Sequence, residues 1–164
     1  MDTAIKIQKT IRKFRANNPT WLQPTDLRCL QFAATEAAEA MDEWIRFDRK
    51  FFRTTERAST VYDLLCEVAD CLMMLLSVNQ EIEDYFQYVE KTEIDDLFLC
   101  TLMMDVSTMC VDYIESGEIT PSLEIKIAKC VFNIMSVDVD WEQIVNGRLE
   151  RIKSKIQARL EKVE

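Results

Sequence analysis

Apolar residues recur along most of the chain at intervals of three and four, the spacing of one helix face, and capping residues punctuate the breaks between these stretches. Ile5, Ile7, Ile11 and Phe14 predict a short first helix of uneven amphipathicity that ends before Asn17-Asn18-Pro19, with Pro19 to Pro24 as a connector. Thr25 is placed to cap a second helix, on which Leu27, Leu30, Ala34, Ala37, Met41 and Ile45 share a face to about residue 47. Residues 47–59 break the pattern and read as a basic, aromatic-bearing link. Thr60 and Asp63 have the spacing of a capping box, and the interior from Val61 to Val78 is nearly all apolar, so this third helix should be the most buried. Thr92 with Asp95, Thr120 followed by Pro121, and Asp140 with Gln143 mark further starts, giving helices of roughly 93–116, 121–136 and 140–162, while Gly117 suits a helix C-terminus. The prediction is a single all-α domain over residues 1–164, a compact bundle of five or six helices.

Composition agrees and narrows the chemistry. The chain of 164 residues has 2 Gly and 3 Pro against 48% hydrophobic residues, too little turn chemistry for a many-stranded sheet. With 29 acidic and 20 basic residues the net charge is -9, which opposes general binding to a nucleic acid polymer or to an anionic membrane. Histidine is absent, so catalysis by imidazole and zinc sites built on it are excluded. The six cysteines are scattered without a C-x-x-C pair and read as small buried thiols of a reducing, cytoplasmic setting. The longest unbroken apolar run, Cys71 to Leu76, predicts neither a signal peptide nor a spanning helix.

Carboxylates are therefore the candidate chemistry. Glu36-x-x-Glu39 lies on the second helix and Glu67-x-x-Asp70 on the third. Positions i and i+3 share a helix face, so each motif aims two acids in one direction, and packing of the two helices could bring the four together. Glu-x-x-Glu by itself is common on solvated faces, and Glu36, Glu39 and Glu43 lie largely opposite the apolar stripe of their helix. Glu67 and Asp70 differ, because apolar residues surround them on nearly every other side and no Lys or Arg occurs between Arg57 and Lys91. Acids buried without partners are costly, so a bound cation becomes an attractive solution, and oxygen ligands favour Mg²⁺, Mn²⁺ or Ca²⁺ over zinc. Crowding of like charges also predicts a strained metal-free site that relaxes when one acid, such as Asp70, is neutralised. The alternative is a bundle whose acids pair with arginines from another helix or subunit.

The run Thr35-Glu36-Ala37-Ala38-Glu39-Ala40-Met41-Asp42-Glu43, a linker, then Cys66-Glu67-Val68-Ala69-Asp70-Cys71-Leu72 resembles the MazG-like members of the all-α nucleoside triphosphate pyrophosphohydrolase superfamily, whose pattern is Glu-x-x-Glu, a spacer, then Glu-x-x-Asp. The match covers about residues 25–80. Many relatives carry Glu and Gly where this chain has Cys66 and Ala69, but the acidic quartet is intact. The resemblance implies an enzyme that uses Mg²⁺, with Mn²⁺ as an alternative, to hydrolyse a nucleoside triphosphate between the α and β phosphates, releasing a monophosphate and pyrophosphate. It further implies nucleotide-pool house-cleaning, a homodimer or homotetramer, and Glu36, Glu39, Glu67 and Asp70 as metal-holding, catalytic carboxylates.

Around that quartet, Glu43 and Asp63 stand one turn from the motifs and could support the ligands from outside. Arg46, Arg49, Lys50 and Arg53 in and after the second helix could touch the triphosphate, with ordinary solvated charge as the competing reading; Arg57 belongs to the same run. Trp21, Trp44 and Phe47 could stack on a base but more readily serve the core or an interface. The apolar surplus from Leu97 to Val111 predicts a helical subunit interface. A non-catalytic helical-bundle binding or regulatory protein that keeps the acidic face is the alternative function.

Overall fold

The structure is a computed structural model that describes residues 2–18, 24–48, 60–78 and 91–161. The described residues form six helices: α1 (Asp2–Ala16), α2 (Asp26–Asp48), α3 (Val61–Leu75), α4 (Asp96–Ser116), α5 (Pro121–Met135) and α6 (Trp141–Leu160). The expected all-α bundle is what the described residues adopt.

Local chemistry explains most boundaries. The Thr60 hydroxyl accepts from the Asp63 backbone N–H while the Asp63 carboxylate accepts from the Thr60 backbone, completing the capping box of α3. Thr120 caps α5 ahead of Pro121, Asp140 caps α6 through the Gln143 N–H, and Gly117 closes α4 at φ 75°, a left-handed conformation that a side chain would strain. The start of α4 differs from the expected Thr92 cap. Asp95 accepts from the Phe98 N–H at 2.7 Å and begins the helix three residues later. Thr92 instead donates its backbone N–H to the Ser136 carbonyl and bridges to Val137, so it fastens the entry of α4 to the end of α5.

The centre of the bundle is α3, whose Leu64, Val68, Ala69, Leu72, Met73 and Leu75 are buried. Its most extensive partner is α2, which also packs on α4, while α6 and α5 close the remaining sides of α3. The buried face of α2 is rotated from the expected stripe: Cys29, Leu30, Ala33, Ala37 and Ala40 are inside, Ala34 and Met41 are half-buried, and Ile45 is exposed. Small side chains define this face because they let neighbouring backbones approach closely. From α1, Gln8 donates to the Leu76 carbonyl at 3.1 Å and so ties the first helix to the end of α3.

Two apolar faces run along α4. Leu99, Leu102, Val106 and Met109 enter the core, whereas Leu97, Met104, Val111 and Ile114 are 74%, 68%, 53% and 63% exposed. Leu97, Met104 and Val111 repeat at the heptad spacing. Among the described helices α4 is the one long and apolar enough to cross a membrane by length and composition, a test that a core helix of a bundle passes equally. Acids and hydroxyl residues interrupt its apolar runs without removing either face, and Asp105 and Asp112 stand within the helix.

Candidate metal centre

Packing of α2 on α3 brings Glu36, Glu67 and Asp70 together. One carboxylate oxygen from each lies within 4.8 Å of the others, and all three side chains are half-buried. Glu67 and Asp70 are held on consecutive turns of the most buried helix, flanked by buried Cys66, Val68, Ala69 and Cys71. Glu36 stands beside Ala37 on the edge of the buried face of α2. The fourth motif acid, Glu39, is exposed and outside the three-way convergence, yet near enough for its charge to act on both Glu36 and Glu67.

Electrostatics at the cluster are uneven. Burial, followed by the charges of Asp70, Glu39 and Glu67, pushes the Glu36 carboxyl up to about 8, so Glu36 keeps its proton at neutral pH and its side chain hydrogen-bonds Glu67. Burial also raises Glu67, against the pull of Arg148 and the hydrogen bond from Glu36. Glu36 and Glu67, joined by that hydrogen bond, thus resemble a pair sharing a proton more than two independent charges. Their oxygens are hard donors, with no imidazole or thiolate in the set, and this composition fits Mg²⁺, Mn²⁺ or Ca²⁺.

Arg148 changes the expected charge balance. From α6 its Nε donates to Asp70 Oδ1 at 2.9 Å, and its Nη2 donates to Oδ2. Asp70 is therefore matched by a protein cation, so neutralising it would strand the Arg148 guanidinium instead of relieving like-charge crowding, which falls chiefly on Glu36. The hydrogen bond to Asp70 in turn makes the Arg148 proton harder to remove. Sequence reasoning allowed for an arginine from another helix but did not single out Arg148. Its position was the available signal: residue 148 follows Ile144 by four and precedes Leu149, both buried, so its stem faces the bundle.

The remaining sequence-selected residues have other places. Asp63 serves the α3 cap. Glu43 is half-buried and lies 3.4 Å from Arg46 Nη1, while Arg46 Nη2 pairs with Asp42 at 2.5 Å, so Arg46 is engaged by acids of its own helix. Arg49, Lys50, Arg53, Arg57 and Trp21 lie outside the described residues. Trp44 donates from Nε1 to Asp96 Oδ1 at 2.9 Å and packs near Phe47 at a ring-centroid distance of 6.0 Å, an anchor between α2 and α4. All six cysteines are free thiols.

Comparison with models of known protein families, with curated proteins and with solved structures finds no match for this chain.

Proposed function

We propose that the protein is a divalent-cation-dependent nucleotide pyrophosphohydrolase of the MazG-like kind, cleaving a nucleoside or deoxynucleoside triphosphate to a monophosphate and pyrophosphate. The observation that carries this reading is the convergence of Glu36 from one acidic motif with Glu67 and Asp70 from the other. Two motifs separated along the chain meet at one place, as paired motifs with a common ligand must.

Glu36, Glu67 and Asp70 would hold Mg²⁺ or Mn²⁺, with Glu39 adding charge at the open side. Bound there, the ion would neutralise phosphate charge that a chain of net charge -9 otherwise repels. The chain's own contribution is proton management. Water attacks the α-phosphorus, the bond from that phosphorus to the bridging oxygen breaks, and pyrophosphate leaves. The proton of the water would pass to Glu39, the exposed motif carboxylate beside the cluster. Arg46, with Arg49, Lys50 and Arg53 following it in sequence, would meet the phosphate tail by exchanging acidic partners for phosphate oxygens. A cytoplasmic, reducing setting suits the free thiols. The exposed heptad face of α4 would pair with a second copy of the chain, and light scattering at micromolar concentration should report a dimer or tetramer; a monomer would contradict this assignment.

The test of function is release of pyrophosphate from a panel of canonical and modified NTPs and dNTPs with Mg²⁺, with Glu67→Gln and Glu115→Gln compared. Activity should fall by orders of magnitude in the first and persist in the second. The Arg148–Asp70 pair favours a second reading, a non-catalytic binding or regulatory bundle in which protein donors satisfy the acids. Absence of release across the panel would decide for that reading.

A further inference from the structure

The acidic cluster already contains a cation. Arg148 reaches Asp70 across 78 residues of sequence and engages both carboxylate oxygens, Nε to Oδ1 at 2.9 Å and Nη2 to Oδ2. The side chains of the pair retain only 16% and 14% of their exposure, so the guanidinium is held in place rather than waving in solvent. Its charge also acts on Glu67. Asp70 is nonetheless one of the three residues whose oxygens converge. A guanidinium fork on both oxygens leaves each a second lone pair, but a divalent cation placed there would stand a few ångströms from the guanidinium, and two such cations repel strongly in a half-buried site.

We propose that Arg148 is the cluster's own counter-cation, released from Asp70 when a divalent cation binds and handed to phosphate oxygens of the substrate. This deepens the metal-dependent reading above and rests on it. The guanidinium suits both partners, because its planar fork matches carboxylate and phosphate alike, which an ammonium does not. The exchange keeps like with unlike in both states: the fork balances Asp70 while the site is empty of metal, then meets the polyanion that arrives with the ion. A residue whose role was only to brace α6 against α3 would have no reason to weaken metal binding and strengthen triphosphate binding at once.

That opposition is the test. Metal-free wild type and Arg148→Gln are titrated with Mn²⁺ by calorimetry, and the Mn²⁺-loaded proteins are then titrated with inorganic tripolyphosphate. Arg148→Gln should bind Mn²⁺ about tenfold more tightly and tripolyphosphate about tenfold more weakly, each about 1.4 kcal/mol. Unchanged or weaker Mn²⁺ binding by the variant overturns the exchange and leaves the metal site standing. Tighter Mn²⁺ with unchanged tripolyphosphate overturns the hand-over. Binding of Mn²⁺ by neither protein overturns both the exchange and the metal-dependent reading. The wild type alone provides a second measurement that does not depend on the variant folding: the Arg148 Nε–H, observed by NMR, should be protected from solvent exchange in chelator and lose that protection at saturating Mg²⁺. Persistent protection overturns the proposal.

Discussion

Replacing Glu36 by Gln should make the metal-free protein more stable at alkaline pH and remove much of its pH dependence. In the unfolded chain this carboxyl titrates at 4.5, and in the folded protein it is raised to about 8. Below pH 4.5 both states carry the proton and the stability tied to this group is fully present. Between 4.5 and 8 the unfolded chain has released it while the native cluster holds it, so stability falls as pH rises; above 8 the loss is complete. Each pH unit between the two titration points is worth about 1.4 kcal/mol. Glu36 is half-buried, and water at the open side of the cluster screens it, which reduces the realised loss to about 2 kcal/mol. For a chain of this size that corresponds to about 4–8 °C in melting temperature. Glutamine keeps the shape and stays neutral throughout. Melts in chelator from pH 5 to 8.5 should therefore show wild type and Glu36→Gln together at the acid end and the variant higher by that margin at the alkaline end. Saturating Mg²⁺ should close the gap by stabilising the ionised wild type. Parallel curves across the whole range would refute the assignment of the strain to Glu36.

Asp70→Asn should act in the opposite direction and cost about 1–2 kcal/mol in chelator, because it leaves the half-buried Arg148 guanidinium facing a neutral amide; chemical denaturation measures it, and equal or greater stability would show that the pair contributes nothing. Gly117→Ala should cost about 1 kcal/mol, read as a lower thermal midpoint. An added methyl there meets nothing within 4 Å, so this loss is backbone strain at φ 75° alone, and an unchanged midpoint would contradict it.

The helices were legible because their signals are local. The Thr60–Asp63 box, Pro121 behind Thr120 and Gly117 at the end of α4 each act within a few residues, and each holds in the fold. Thr92 misled because Asp95 offers a competing carboxylate cap, and the tie of Thr92 to Ser136 is a long-range fact that no window around residue 92 contains. The stripe on α2 was misplaced for a related reason. Alanine carries little hydrophobic signal, yet Ala33, Ala37 and Ala40 are wholly buried because they admit close neighbours. At the site, spacing identified Glu36, Glu67 and Asp70. It could not separate Glu39, which differs from Glu36 by less than one turn but faces solvent. Arg148 came from the far end of the chain, and only its place beside buried Ile144 and Leu149 distinguished it from the charges around it.

The alanine seam of α2 has a consequence for how the site can change over generations. Ala33, Ala37 and Ala40 have no exposed surface, so their size limits how closely the helix bearing Glu36 packs on its neighbours, of which α3 bears Glu67 and Asp70. Oxygen ligands sit about 2.1 Å from Mg²⁺ and about 2.4 Å from Ca²⁺, a difference far smaller than the width of one methyl group. The spacing of the carboxylates thus depends in part on residues outside the acidic cluster. A drift from alanine to valine in that seam would retune which ion the acids accommodate while every acid stayed in place, so an inventory of carboxylates alone would register no change.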